Sequence, residues 1–148
     1  MLLRSSTDYS RVQIALGTVI LLVEDNPADV LLLHEALSDQ GLKPELFVAK
    51  DGDDAIRLLD QIDDSAIPCP ELVILDINLP RVPGFEVLSR IRASPKCAKI
   101  PVAVLTSSNA QRDRQEAAQR GATAYLVKPH NLEEFLLIGA ELKKILIT

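Results

Sequence analysis

One apolar run constrains the fold of this chain more than any other feature. Residues 72–75 are all branched aliphatic residues, and an acid, Asp76, follows them directly. A run that is apolar at every position is typical of a strand buried on both faces, as in a parallel sheet covered by helices. Ligands of such sheets bind just beyond the carboxyl ends of the strands. The position of Asp76 therefore predicts a functional acid whose charge other groups must compensate.

Strand-like and helix-like segments alternate along the rest of the chain. The predicted strands are 19–23, 45–49, 72–75, 100–105 and 124–127, and the predicted helices are 27–40, 51–62, 85–92, 110–120 and 131–147. Five such pairs imply a parallel sheet with right-handed crossovers and helices on both faces. We therefore predict an α/β, flavodoxin-like, doubly wound (βα)5 fold with a five-stranded sheet in the order 2-1-3-4-5.

The segment before the first predicted strand has a different character. Residues 1–17 are polar and irregular apart from a short apolar patch at 12–16. We predict a flexible or loosely docked N-terminal extension over 1–17 and a single domain over 18–148, with no separate output domain.

Composition excludes several classes of function. The chain has 148 residues and a formal net charge of −5, which gives no basic footprint for nucleic acid. Neither a membrane-spanning run of about 20 apolar residues nor a signal peptide is present. Cys69 and Cys97 lack metal-site spacing, and we predict free thiols in a reducing compartment. These features predict a cytoplasmic protein that binds neither nucleic acid nor membranes.

Acids also follow the first predicted strand. In the predicted strand order, Glu24 and Asp25 would meet Asp76 at the switch point of the sheet. A hard cation such as Mg²⁺ would relieve their mutual repulsion, with Asp25 and Asp76 as direct ligands and Glu24 holding a water. The alternative is that Glu24 and Asp25 merely cap a helix or face solvent.

A hydroxyl and an amine complete the set of strand-end groups. Thr106 ends the fourth predicted strand and Lys128 the fifth. A carboxylate nucleophile, a cation site, a hydroxyl and an ammonium together suit phosphoryl transfer. Neither His34 nor His130 is well placed as a base, but an ionised carboxylate needs none. Thr106 as a helix cap and Lys128 as a solvated side chain remain alternatives.

Four motifs carry a resemblance to a known family. VEDN ends the first strand, LDINLP the third, LTSS the fourth and YLVKP the fifth. Over residues 18–147 the chain resembles a response-regulator receiver domain of two-component signalling. It is most similar to single-domain, phytochrome-associated regulators of the cyanobacterial type. The resemblance implies a sensor histidine kinase as partner, which could be phytochrome-like, and a switch rather than a turnover enzyme.

The resemblance also implies roles for the acidic residues. Asp76 would be the phosphoacceptor, Glu24 and Asp25 the acidic pair, and Asn78 would offer its backbone carbonyl to Mg²⁺. The chain departs from the family at Glu24, where many members have Asp. The side chain is one methylene longer, which puts the water-mediated metal contact in question.

The remaining roles implied by the resemblance concern the phosphoryl group and its consequences. Thr106 would bond the phosphoryl group and Lys128 would pair with it. Tyr125 matches an aromatic position that rotates inward on activation. Asn78 and Ser108 match variable positions that tune how fast the acyl phosphate hydrolyses.

The last two predicted helices suggest how a signal could leave the domain. The fourth helix has only alanines as apolar residues, so a shift of it should cost little. In the last helix, apolar residues at helical spacing form a stripe that should face the core: Leu132, Phe135, Ile138, Leu142 and Ile145. Four further apolar residues lie off this stripe: Leu136, Leu137, Leu146 and Ile147. We predict a homodimer through the fourth helix, the fifth predicted strand and the last helix. The alternative is that the N-terminal extension partly covers these additional apolar residues of the last helix.

Two other functions fit a sheet with an aspartate at its rim. A phosphatase of the haloacid-dehalogenase class needs a second acid two residues after its nucleophile, where this chain has Asn78. A flavodoxin-like FMN binder needs a phosphate-cradling loop after the first strand, where Glu24 and Asp25 would repel phosphate. Both alternatives are therefore disfavoured.

Overall fold

The computed structural model describes residues 2–11 and 18–147. The strands of this part of the chain are β1 (Leu2–Ser5), β2 (Val19–Val23), β3 (Glu45–Ala49), β4 (Leu72–Leu75), β5 (Val102–Thr106) and β6 (Ala124–Val127). The helices are α1 (Pro27–Asp39), α2 (Gly52–Asp63), α3 (Gly84–Ala93), α4 (Gln111–Gln119) and α5 (Leu132–Ile147), and a 3₁₀ helix spans Ser6–Arg11.

The six strands form one sheet in which every pair of neighbours is parallel. Their order is β1-β3-β2-β4-β5-β6. The five predicted strands keep the predicted relative order, and the flavodoxin-like α/β fold is confirmed. The predicted number of strands was wrong, because β1 adds a sixth strand beside β3.

The N-terminal segment is part of this architecture. β1 pairs in parallel with β3, with Leu2 opposite Glu45 and Ser5 opposite Val48. Tyr9 lies in the 3₁₀ helix that follows β1. Its ring is fully buried and packs edge-on against the ring of Phe47, with 4.9 Å between the two centroids. The expectation of an irregular extension was therefore wrong for residues 2–11. The apolar patch at 12–16 lies outside the described residues.

Side chains alternate between two apolar layers on the faces of the sheet. On one face, α2, α3 and Tyr9 cover side chains of β2 and β4 such as Val23 and Val73. On the other face, α1 and α5 cover the alternate positions, among them Leu22 and Ile74. Because β2 and β4 are buried at every position, the acids that follow them emerge from the centre of the sheet.

The last helix follows the predicted stripe only in part. Phe135, Ile138 and Leu142 are buried, and Ile145 is half-buried against the same core. Leu132 is exposed, contrary to prediction, because it is the first residue of α5 and precedes the turn that meets the sheet.

A disulfide joins Cys69 to Cys97, whose Cα atoms lie 5.8 Å apart. The prediction of free thiols was wrong, since the fold brings the loop before β4 next to the turn after α3. The prediction of a reducing compartment was based on free thiols and therefore loses that support. None of the helices described is long and apolar enough to span a membrane.

Candidate active site at the carboxyl ends of the strands

Four strands deliver polar groups to one rim of the sheet. Glu24 and Asp25 follow β2, Asp76 follows β4, Thr106 ends β5 and Lys128 follows β6. A cavity of about 400 Å³ opens there. Its lining consists of Glu24, Asp25, Asn26, Asp29, Asp76, Asn78, Ser107, Lys128, Pro129 and His130. The structure thus brings most of the predicted site residues together.

Asp76 is held in place by both its backbone and its side chain. Its backbone N–H donates to the carbonyl of Val23, 3.0 Å away, which ties the start of the loop to β2. Its Oδ1 accepts a hydrogen bond from the backbone N–H of Asn78 at 2.9 Å, and its Oδ2 accepts one from Lys128 Nζ at 2.8 Å. Only 5% of Asp76 is exposed, so the carboxylate has a defined orientation toward the cavity.

The start of α3 packs directly against the backbone of the loop that contains Asp76. A Cβ atom on Gly84 would lie 2.4 Å from the backbone oxygen of Asp76 and 2.4 Å from the Cα of Ile77. Only glycine allows this close approach. The first residue of α3 is therefore in direct contact with the backbone of Asp76.

The ammonium of Lys128 is the positive centre of the rim. Its Nζ lies 2.7 Å from Glu24 Oε1, 2.8 Å from Asp29 Oδ2 and 2.8 Å from Asp76 Oδ2. An ammonium has three N–H donors, so these three carboxylates can occupy all of them. The alternative that Lys128 is merely a solvated side chain does not hold.

Burial and charge shift the pKa values of this pair. Burial raises the pKa of Glu24 to about 7, and the hydrogen bond from Lys128 only partly offsets this effect. Burial alone would lower the pKa of Lys128, but its hydrogen bonds to Asp29, Asp76 and Glu24 raise that pKa above its usual range. An uncompensated carboxylate at Glu24 is thus costly, which favours a cation at this position.

Three acids have the geometry of a cation site. Glu24, Asp25 and Asp76 each offer a carboxylate oxygen, and these oxygens lie within 4.8 Å of one another. Glu24 and Asp76 are buried, whereas Asp25 is exposed. An all-oxygen donor set with an open side fits a hard divalent cation that retains waters.

Thr106 and Asn78 are neighbours at the other side of Asp76. The amide of Asn78 donates to Thr106 Oγ1 at 3.2 Å, and the backbone N–H of Ser108 donates to the same oxygen at 3.4 Å. Thr106 is fully buried at the end of β5, and its Oγ1 accepts both of these hydrogen bonds.

Comparison with known proteins assigns the chain to a family. The sequence pattern of the response regulator receiver domain matches residues 20–138. The chain belongs to this family. The receiver is 39% identical over 117 residues to the response regulator Rcp1 of Synechocystis sp., a match that covers 78% of this chain and 80% of Rcp1. It is 36% identical over 126 residues to the probable methanogenesis regulatory protein FilR2 of Methanothrix harundinacea, covering 85% and 81% of the two chains.

Two solved structures resemble the receiver closely. The Mn²⁺-bound form of Rcp1 superposes with a TM-score of 0.76 at 36% identity, covering 86% of this chain and 92% of that one. The phosphorylated cyanobacterial phytochrome response regulator RcpA superposes with a TM-score of 0.79 at 32% identity, covering 89% and 95%. The predicted resemblance to this group of response regulators is confirmed.

The predicted switch and tuning residues of the receiver connect β5, β6 and α4. The hydroxyl of Tyr125 donates to the carbonyl of Ser108 at 2.9 Å, two residues beyond Thr106. The guanidinium of Arg114 lies 4.8 Å from the centre of the Tyr125 ring. The hydroxyl of Ser108 donates to Asp113 in the first turn of α4, so it is directed to that helix.

The receiver site contains groups that sequence reasoning missed. Asp29 binds Lys128 directly, and Ser107 and His130 line the cavity. An acid in the first turn of a helix is ordinarily explained by the helix dipole, which masks any other role for Asp29. Asp29 is the third residue of α1, and no pattern in the sequence shows that its side chain reaches Lys128.

Proposed function

We propose that this receiver accepts a phosphoryl group from a sensor histidine kinase onto Asp76 in a Mg²⁺-dependent reaction. The observation that carries this proposal is the pairing of Asp76 Oδ2 with Lys128 Nζ at 2.8 Å, beside two further acids with the geometry of a cation site. One carboxylate is thereby oriented toward an open cavity, and Lys128 and a bound cation would compensate its charge.

The chemical step follows from this arrangement. A carboxylate oxygen of Asp76 attacks the phosphorus of a phosphohistidine, a P–O bond forms, and the P–N bond breaks to release the imidazole. In this proposal the ammonium of Lys128, which bonds to Asp76 at 2.8 Å, and the hydroxyl of Thr106 at the end of β5 would bind oxygens of the transferred group. Since Asn78 supplies no general acid, we expect at most slow self-dephosphorylation and no turnover of substrate.

Glu24, Asp25 and Asp76 would hold the Mg²⁺, together with the backbone carbonyl of Asn78. When bound, the cation neutralises charge on the phosphoryl oxygens. The extra methylene of Glu24 is accommodated by a contact to its own loop, since its Oε2 accepts from the backbone N–H of Asn26 at 3.2 Å.

Phosphorylation with a small donor tests the proposal. Incubation with acetyl phosphate and Mg²⁺ should add one phosphoryl group, measured by intact mass, and Asp76→Asn should abolish the addition. Asp53→Asn, at a partly exposed acid in the first turn of α2, is the matched control and should be modified like the wild type. Modification of the Asp76→Asn variant, or none in the wild type, would contradict the proposal.

We further propose that the signal reaches the surface formed by α4, β6 and α5. Ala117 is the buried residue of α4, so little burial opposes a shift of that helix. Tyr125 links β6 to the loop after Thr106 through its hydrogen bond to Ser108. A change at Thr106 can therefore move both elements together.

The same surface is our proposed homodimer interface. Leu132, Leu137 and Ile147 of α5 are 52%, 66% and 72% exposed, which is unusual for large apolar residues of one helix. The described part of the N-terminal segment pairs with β3, at the edge of the sheet opposite β6.

The oligomeric state tests this interface. Light scattering coupled to size exclusion should give a dimer for the wild type, and Leu137→Glu should shift it to a monomer because a buried charge would be unpaired. Leu31→Glu, at an equally exposed leucine of α1, is the matched control and should stay dimeric. A wild-type protein that is monomeric with and without acetyl phosphate at micromolar concentration would contradict the dimer.

The identity of the kinase is proposed from similarity. RcpA is a cyanobacterial phytochrome response regulator, and we propose a phytochrome-like histidine kinase as the donor for this chain. We also propose that the exchange takes place in the cytoplasm, without nucleic acid or membrane as partner.

A further inference from the structure

Asp29 is a carboxylate at the rim whose position is set by α1 itself. It is the third residue of that helix, and its backbone N–H donates to Oδ1 of the N-cap residue Asn26 at 3.4 Å. Pro27 fixes the backbone of the first turn. The carboxylate is 21% exposed and accepts a hydrogen bond from Lys128 Nζ at 2.8 Å.

The three acids bound to Lys128 differ in what else they do. Glu24 and Asp76 belong to the group of carboxylates that can hold a cation, whereas Asp29 does not. Asp76 is also the residue that becomes an acyl phosphate. A bound cation therefore competes with the Lys128 ammonium for Glu24 and Asp76, and phosphorylation changes Asp76 itself. Neither event involves the bond between Lys128 and Asp29.

We propose that Asp29 is a positioning residue that keeps the Lys128 ammonium at the rim in both the unphosphorylated and the phosphorylated receiver. This inference rests on the proposed function, because it concerns the same phosphoryl site. Without Asp29, the ammonium would lose its anchor once Glu24 and Asp76 are engaged elsewhere. Lys128 would then have to be ordered each time it pairs with a phosphoryl oxygen, at a cost in side-chain entropy.

Beryllofluoride, a phosphoryl mimic, measures this effect without a covalent step. We expect Asp29→Ala to weaken beryllofluoride binding at saturating Mg²⁺ about tenfold, and Asp29→Asn about threefold, because a charge-assisted bond to Lys128 is lost or weakened. Mg²⁺ affinity alone should change by less than about threefold, because Asp29 lies outside the cation group. Asp39→Ala, an exposed acid at the end of α1, is the matched control and should bind like the wild type.

A double-mutant cycle distinguishes positioning from a structural role. If Asp29 acts through Lys128, adding Asp29→Ala to Lys128→Ala should weaken binding by less than about twofold further. Equal tenfold losses in both backgrounds, or no loss in Asp29→Ala alone, would overturn the inference while leaving the phosphoacceptor intact. If the wild type binds no beryllofluoride and accepts no phosphoryl group, the proposed function falls and this inference falls with it.

Discussion

At the scale of single residues, Glu24 is a buried acid whose ionisation is costly. It is 3% exposed, and burial raises its pKa to about 7, despite the opposing hydrogen bond from Lys128. Its value in the unfolded chain is about 4.5. Between these two values the folded protein holds a proton at Glu24 that the unfolded chain has released. By linkage, the contribution of Glu24 to the stability of the cation-free protein falls as the pH rises through this window.

We expect the free energy of unfolding in the presence of a chelator to decrease between pH 4.5 and 7, by at most about 1.4 kcal/mol per pH unit from this group. Urea unfolding at pH 5 and pH 7 measures the effect, with Glu24→Gln as the matched control. The variant lacks the titrating group, so its decline with pH should be smaller. An equal decline in wild type and variant would refute the assignment to Glu24.

At the scale of secondary-structure elements, the N-terminal segment is held by one buried ring. Tyr9 is 0% exposed, packs on Phe47 and donates its hydroxyl proton to the carbonyl of Pro68 at 2.9 Å. The guanidinium of Arg4 lies 5.9 Å from the centroid of the Phe47 ring, and its Nη2 lies 3.6 Å from Glu45 Oε1. The segment therefore joins β1, β3 and the loop before β4.

Tyr9→Ala should lower the free energy of unfolding by about 3 kcal/mol, because it removes a fully buried aromatic ring. Tyr9→Phe retains the ring and should cost only about 1 kcal/mol for the lost hydrogen bond. Chemical denaturation of the three proteins gives these values. A loss below about 1 kcal/mol for Tyr9→Ala would show that the ring does not anchor the segment.

The elements that could be predicted from the sequence are those with an unbroken apolar pattern. β2 and β4 are buried on both faces, so every residue carries the signal, and both were predicted with their observed bounds. β1 escaped prediction because its four residues, LLRS, are half polar and pair on one edge only. β5 begins at Val102 rather than at residue 100, because Pro101 has no N–H for a ladder.

The predictable part of the active site has the same origin. Residues at the carboxyl ends of parallel strands are placed at one rim by the topology, which is why Asp76, Thr106 and Lys128 could be predicted to lie together. Asp29 could not, since its role depends on how α1 is rotated above the rim. The disulfide depends on two turns whose approach no local pattern encodes.

At the scale of the whole molecule, the disulfide is a long-range constraint. Cys69 and Cys97 are 28 residues apart, and the loop between them contains β4, Asp76 and α3. Closing a loop of this length lowers the entropy of the unfolded chain and is worth about 3.6 kcal/mol in the chain-entropy account. Folding stability should therefore depend on the redox state.

Reduction should lower the melting temperature by on the order of 10 °C, measured by thermal unfolding with and without a reductant. A variant with Cys69→Ser and Cys97→Ser should melt near the reduced wild type and be insensitive to reductant. A wild-type protein whose melting temperature is unchanged by full reduction, verified by thiol titration, would contradict a stabilising disulfide.

The strand β1 has a practical consequence for defining a minimal fragment. The family match begins at residue 20, after this strand and Tyr9. A fragment trimmed to that boundary would bare the outer hydrogen-bonding edge of β3 and the ring of Phe47. Uncovered edges recruit other strands and promote aggregation. Self-association of such a fragment would then arise from mispaired sheet edges, so the proposed dimer through α5 should be tested with residues 1–19 retained.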